Sequence, residues 1–318
     1  MDGTGIGVAP PMIAAHPRMR AELEAALPKA KLHPGPHTMD EDELIAFLSG
    51  CDKAILGFEP VTEKVISALP GLKIVSKFGA GYESFDFAAL RRHNVRFGYT
   101  WGVNKLAVAE LALTFMISAL RWIGPLNLAM REGGRPRYRN GRLLTGRVVG
   151  IHGCGNIGKE VTRLLRPFGC EIIACDIADY SGFYREHNVK PVSFDELLAR
   201  SEVLTLHLPK TAKTRGLYDR AALEKLRSDS VLINTCRGGI VDEAALLERL
   251  NSGALTAAAF DVFAVEPATN DALLRHPNML ATPHIGASAE EIRVETIRAA
   301  IRGLSEAEEV DPAKYYAE

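Results

Sequence analysis

The hexapeptide Gly153-Cys154-Gly155-Asn156-Ile157-Gly158 constrains this chain more than any other stretch, because of what stands on either side of it. The apolar run Arg147-Val148-Val149-Gly150-Ile151 leads in, and a helix-like segment, Lys159 to Phe168, leads out. A second apolar run, Cys170 to Cys175, ends at Asp176. Strand, glycine turn, helix, strand and acid is the order of a dinucleotide-binding βαβ unit. In such a unit Gly153 permits the tight turn, Gly155 lets the backbone approach a pyrophosphate, and Gly158 lets the helix pack closely on the strand. The N–H groups from Cys154 through Ile157 open the helix and are the expected phosphate donors. Asp176, about 20 residues past the turn, is placed to accept hydrogen bonds from the adenosine ribose hydroxyls. Ile177, Ala178, Asp179 and Tyr180 follow it, with no Arg or Lys to pair with a 2′-phosphate and a second acid to repel one. The sequence therefore favours NAD over NADP.

With 318 residues there is room for two domains, each with its own core. The formal net charge of −1 gives no reason to expect nucleic acid or an anionic membrane surface as a partner. The first residues lack a basic start followed by an apolar core, so no secretory signal is expected. Leu106 to Leu120 comes nearest to a membrane span, but Glu110 interrupts it and Arg121 ends it. Five cysteines, odd in number and without a C-x-x-C, fit free thiols in a reducing, cytoplasmic setting. Cys154 and Cys236 are either oxidation-sensitive or small residues filling tight spaces, and the second reading is favoured. His207, His276 and His284 have no ligand spacing, so no metal is expected.

Short apolar runs alternate with helix-like segments along most of the chain. Residues 54–56, 72–75 and 95–97 read as strands; 18–27, 40–48, 63–69 and 85–92 read as helices. From Val148 onward the strand candidates are 203–206, 231–234, 257–260 and 279–281. Such alternation argues for parallel sheets covered by helices. Between the halves lies an apolar helix, roughly Asn104 to Trp122, whose apolar residues surround most of its circumference. It is either a buried interdomain helix or a dimer interface. The Arg- and Gly-rich stretch Arg131 to Arg142 reads as a solvated connector or a substrate-steering segment, and Ala287 to Leu304 as a helix folding back onto the first domain.

Three further motifs sit at strand-to-loop junctions, where an open α/β sheet places its ligands. They are Asn234-Thr235-Cys236-Arg237-Gly238, Asp261-Val262-Phe263-Ala264-Val265-Glu266-Pro267 and Thr282-Pro283-His284-Ile285-Gly286. Arg237 can hold a carboxylate through two parallel hydrogen bonds, a geometry Lys cannot supply. A histidine beside a carboxylate is an acid–base device, because the negative charge favours the imidazolium and fixes the ring.

With the glycine turn, these motifs resemble the D-isomer-specific 2-hydroxyacid dehydrogenase family, which includes phosphoglycerate dehydrogenases and glyoxylate/hydroxypyruvate reductases, over nearly the whole chain. Phe78-Gly79-Ala80-Gly81-Tyr82, after Lys77, resembles the family's substrate loop, whose backbone N–H groups meet the substrate carboxylate. The stretch from Gly102 to Glu110 resembles its hinge and dimerisation helix. The resemblance implies two doubly wound parallel-sheet domains: a Rossmann NAD-binding domain, 103–285, inserted into a flavodoxin-like substrate domain, 1–102 plus 286–318, with the active site in the cleft between them. It implies Arg237, Glu266 and His284 as the catalytic set, and adds His207, Thr235, Cys236, Asp261 and His284 to the cofactor contacts. Asp261 is expected to meet the nicotinamide carboxamide. His284 would take the hydroxyl proton as hydride leaves substrate C2 for nicotinamide C4, and return it in the reverse direction. The expected substrate is a small 2-hydroxy or 2-oxo acid, and the expected assembly a homodimer.

Some positions depart from the family. Leu56-Gly57-Phe58-Glu59-Pro60 has no Arg where phosphoglycerate dehydrogenases often place one for the phosphate. Lys77 either receives a phosphate or second carboxylate or is a strand-end surface cation. Arg142 stands where phosphoglycerate-type members commonly carry Glu, which bears on packing, and Ala107 where many have Ser. Tyr82 and Trp101 would narrow the pocket. Glu266, rather than Gln, argues against the formate dehydrogenase branch, and no serine-feedback domain is expected. Two other readings remain open at this point: an NAD(H)-sensing scaffold like the C-terminal-binding-protein corepressors, and hydride chemistry on a donor such as phosphite.

Overall fold

The computed structural model describes residues 1–134 and 140–315. The chain forms two compact units, Met1–Asn104 with Ser288–Glu318, and Lys105–Ala287. In the first, β1 (Ile6–Val8), β2 (Lys31–Leu32), β3 (Lys53–Leu56), β4 (Ile74–Lys77) and β5 (Arg96–Gly98) make a parallel sheet in the order β2-β1-β3-β4-β5. In the second, seven strands pair in parallel. They are β6 (Val148–His152), β7 (Glu171–Cys175), β8 (Val189–Pro191), β9 (Val203–Leu206), β10 (Val231–Asn234), β11 (Ala257–Phe260) and β12 (Met279–Ala281). Their order is β12-β11-β10-β9-β6-β7-β8. The connection reverses direction between β6 and β9, so the loops after those strands open a crevice at their carboxyl ends.

The central strands β9, β10 and β11 of the larger sheet are buried along their whole length and largely apolar because both faces are covered. Val203 and Ile233 join one core layer with Val149, Ile151, Phe115 and Met116, while Leu204, Leu206 and Leu232 join the other with Leu246 and Phe260. This division follows the two-residue alternation of a strand. In the smaller unit the helix Glu41–Leu48 starts at a capping box: Asp40 accepts from Glu43 N–H at 2.9 Å and Glu43 accepts from Asp40 N–H at 3.1 Å. The helix Glu290–Glu306 lies on this unit's sheet, where Ser76 Oγ donates to the Ala300 carbonyl at 2.6 Å.

The apolar segment expected over 104–122 is the helix Lys105–Arg121, with Ala109, Ala112, Phe115, Met116 and Leu120 buried in the larger unit's core. Trp122 turns left-handed (φ 59°) and ends it, and a second helix, Ile123–Arg131, follows with no buried residue. Leu106, Ile123, Leu128 and Met130 are exposed. Among the described residues no single helix is long and apolar enough to cross a membrane. Residues 135–139 of the Arg-rich stretch lie outside the described residues. Arg142, at its end, hands its N–H to the Leu120 carbonyl at 2.9 Å and is partly buried, in keeping with a packing role.

Candidate active site

The glycine turn begins where β6 ends. Gly153 has φ +91°, and a Cβ there would lie 2.5 Å from the His207 carbonyl oxygen, so the turn and the close pass of the β9 loop both require glycine. Gly155 has open space beside it. Asp176 ties the end of β7 to this turn by accepting from Cys154 N–H at 2.6 Å and Ala178 N–H at 2.8 Å. Two of the carboxylate's roughly four acceptor positions are thereby occupied. Leu206 and Asn234 are register partners on β9 and β10, and the residues after them, His207 and Thr235, each carry a buried polar atom with no partner among the described residues: Nδ1 and Oγ1. Burial pushes the His207 imidazole down to about 3, so the ring is neutral. An open glycine turn, an acid at the second strand and two orphaned polar atoms at the ends of the neighbouring strands β9 and β10 fit a bound dinucleotide.

Burial pushes the Cys154 thiol up to about 11 and raises Cys236 as well. Both are buried and protonated at neutral pH, which supports space-filling over redox sensitivity.

The three predicted catalytic residues follow three adjacent strands. After β10, buried Asn234 shapes the turn: its Oδ1 accepts from Cys236 N–H at 3.1 Å and its Nδ2 donates to the Arg237 carbonyl at 3.1 Å. Half-buried Arg237 donates to the Cys236 carbonyl at 2.8 Å. A Cβ on Gly238 would collide with the Phe263 carbonyl, so the β10 and β11 loops interlock and only glycine fits. After β11, Glu266 Oε1 accepts from Phe263 N–H at 3.0 Å while Oε2 meets His284 Nδ1 at 2.7 Å. His284 has φ 54°, rare for a residue with a Cβ.

What holds His284 there is Asp261, only 1% exposed. Its Oδ1 accepts from Thr282 Oγ1 at 2.5 Å and Ile285 N–H at 2.7 Å; its Oδ2 accepts from Gly286 N–H at 2.7 Å. The Asp261 carbonyl also accepts from His284 N–H at 2.9 Å. About one acceptor position remains for the amide expected from the resemblance. This anchoring was not foreseen, nor was the part played by Asn234 and Thr282. An Asp followed about twenty residues later by Thr-Pro-His is the only trace of it in the sequence. A cavity of about 600 Å³ adjoins the pair, lined by Asp261, Phe263, Glu266, Pro267, Thr282 and His284 among others. Among the described residues no cluster could hold a metal ion.

In the other unit, Lys77 ends β4, and Phe78, Gly79, Ala80 and Gly81 follow it directly. Lys77 is 4% exposed, which overturns the surface-cation alternative. Its Nζ donates to the Phe78 carbonyl at 2.6 Å and sits 5.4 and 5.7 Å from the Phe58 and Phe85 ring centroids. Phe58 itself is 72% exposed.

Residues 113–286 match the family described as D-isomer specific 2-hydroxyacid dehydrogenase, NAD binding domain. A hydroxypyruvate reductase of Thermotoga maritima is 34% identical over 268 residues, 83% of this chain and 87% of that protein. A D-3-phosphoglycerate dehydrogenase of Mycobacterium tuberculosis is 34% identical over 273 residues, 83% of this chain but 52% of that one, so the chain spans about half its length. A solved glyoxylate reductase from Paecilomyes thermophila superposes with a TM-score of 0.82 at 28% identity, covering 93% of each chain. Fold and site together define an NAD-dependent oxidoreductase acting on CH–OH groups. More particularly, the chain belongs to the D-isomer specific 2-hydroxyacid dehydrogenase family.

Proposed function

We propose that the protein interconverts a small, unphosphorylated 2-oxo acid and its 2-hydroxy acid, with Arg237, Glu266 and His284 as the catalytic set. The observation that carries this reading is the 2.7 Å contact between His284 Nδ1 and Glu266, which leaves Nε2 for the substrate oxygen. His284 holds on Nε2 the proton that is exchanged with that oxygen, and Glu266 fixes the ring and balances the imidazolium. Arg237 receives the substrate carboxylate through paired N–H groups, and the N–H groups of the Gly79–Gly81 loop contribute from the substrate domain. The absence of Arg from residues 57–59 and the carbonyl-bound Lys77 ammonium support an unphosphorylated substrate.

Residues of the glycine turn, Asp176, His207, Thr235, Cys236 and Asp261 are the proposed NAD contacts. When bound, NAD supplies the hydride acceptor or donor. Exposed Leu106, Ile123, Leu128 and Met130 support a homodimer, which sedimentation would check. Five free cysteines support a reducing, cytoplasmic location.

The test is NADH oxidation at 340 nm against glyoxylate, hydroxypyruvate, pyruvate, larger 2-oxo acids and 3-phosphohydroxypyruvate, with wild type and His284→Ala. Turnover of an unphosphorylated acid is expected, with a loss of at least about a thousandfold in the variant and unchanged NADH affinity. Intact turnover in the variant would overturn the catalytic assignment; wild-type silence across the panel would overturn the substrate reading.

A further inference from the structure

The loop after β4 carries a device that the catalytic set does not use. Lys77 Nζ donates to the Phe78 carbonyl at 2.6 Å, and Tyr99 Oη donates to the Ala80 carbonyl at 2.7 Å. These are alternate peptide units of one short loop. A trans peptide is planar, with its C=O and N–H pointing in opposite directions. Fixing the Phe78 carbonyl therefore fixes the direction of Gly79 N–H, and fixing the Ala80 carbonyl does the same for Gly81 N–H. Among the described residues, the N–H groups of Gly79, Ala80 and Gly81 donate to no protein acceptor. Gly79 at φ +96° supplies the left-handed step that lets successive N–H groups converge as an anion-binding concavity.

We propose that Lys77 and Tyr99 are positioning residues that act from behind this loop, aiming the Gly79 and Gly81 N–H groups at the substrate carboxylate. The inference rests on the substrate reading above and assigns Lys77 a different task from phosphate binding. Both donors are themselves held. The buried Lys77 ammonium lies 5.4 and 5.7 Å from the Phe58 and Phe85 ring centroids, neighbours suited to a desolvated cation. Tyr99 is stacked on Phe97 (13° between planes) and meets Tyr82 and Trp101 edge-on at centroid distances of 5.5 and 4.8 Å. Tyr82 in turn meets Phe87 and Tyr315 edge-on, so the hydroxyl that holds Ala80 projects from a continuous aromatic cluster. Two residues expected to narrow the pocket, Tyr82 and Trp101, thus brace the loop.

The test uses full-length Tyr99→Phe and Lys77→Met. Tyr99→Phe removes only a hydroxyl and keeps every ring contact, so it remains informative if Lys77→Met fails to fold. Oxalate, a carboxylate mimic of a 2-oxo acid, is titrated against the enzyme–NADH complex, and kcat and KM are measured for the best acid of the panel. The expected result is about five- to tenfold weaker oxalate binding and a parallel rise in KM, with kcat falling far less and NADH affinity unchanged. Unchanged oxalate affinity in Tyr99→Phe overturns the proposal, as does a kcat loss at constant KM. Selective loss of 3-phosphohydroxypyruvate turnover in Lys77→Met makes Lys77 a phosphate ligand and also overturns it. If wild type turns over no panel acid, the substrate reading fails, while the oxalate ratio between wild type and Tyr99→Phe still decides this inference.

Discussion

Two loops at strand carboxyl ends are held by opposite means. The loop bearing His284 hangs from one buried acceptor: Asp261 collects the Thr282 hydroxyl and the N–H groups of Ile285 and Gly286. The loop bearing Gly79–Gly81 hangs from two donors, Lys77 and Tyr99, which take carbonyls. An acceptor anchor consumes backbone N–H groups and leaves a side chain to act. A donor anchor consumes carbonyls and leaves N–H groups to act. The first arrangement suits the acid–base role proposed for His284, the second the anion-binding role proposed for the Gly79–Gly81 loop.

If this contrast is right, damage to the two anchors should separate in the kinetics. Asp261→Asn replaces one acceptor oxygen with an NH2 that faces an N–H or a hydroxyl, leaving buried groups unsatisfied. We expect kcat to fall by about a hundredfold and stability by about 2–3 kcal/mol, read by steady-state kinetics and urea unfolding. A pure KM effect, the pattern expected for Tyr99→Phe, would erase the distinction between the loops.

Asp176→Ala lies outside both loops and should weaken NADH binding about tenfold by fluorescence titration, with KM for the acid little changed. Equal NADH affinity would remove Asp176 from the cofactor contacts.

A further expected effect concerns the seven-stranded sheet of the larger unit. His152, at the end of β6, is hydrogen-bonded to buried Tyr218 at 2.6 Å, and burial pushes its imidazole down to about 4. The folded base is harder to protonate than the unfolded one, whose ordinary value is 6.5. As pH falls below 6.5 the unfolded chain takes up a proton that the folded chain refuses, so stability declines down to about pH 4, by about 3 kcal/mol at most. His207, held neutral by burial, adds to the same slope. Replacing both partners (His152→Phe with Tyr218→Phe) should reduce the slope by about one proton in that window, measured by urea unfolding at several pH values. An unchanged slope would place the titration elsewhere.

Much of the fold was legible because buried parallel strands are continuous apolar runs: β9, β10, β11 and β12 occupy the residues read as strands. Where the reading slipped, tertiary contacts replaced local signal. The strand expected over 72–75 is β4, Ile74–Lys77, because polar Ser76 and Lys77 find partners in a distant helix carbonyl and a loop carbonyl. β2, two residues long, has no pattern to detect. The apolar helix was read to Trp122, but nothing apolar or polar in its composition announces the left-handed turn there. For the site, residue types together with the family resemblance pointed to Arg237, Glu266 and His284, since each bears recognisable chemistry. The anchors were not legible as such: Asn234, Asp261 and Tyr99 work through backbone atoms, and a sequence does not show which carbonyl or N–H a side chain will meet.

With His284 as the proposed acid–base residue, its left-handed backbone sets the needs of turnover against those of folding. Glycine, and to a lesser degree asparagine, is at ease at that φ, whereas histidine tolerates it at a cost. Its pairing with Glu266 is too exposed to offset much of that cost. A lineage freed from selection for turnover would be drawn toward glycine or asparagine at this position, becoming more stable as it fell silent. Stabilising substitutions chosen without reference to activity would meet the same pull at the same residue.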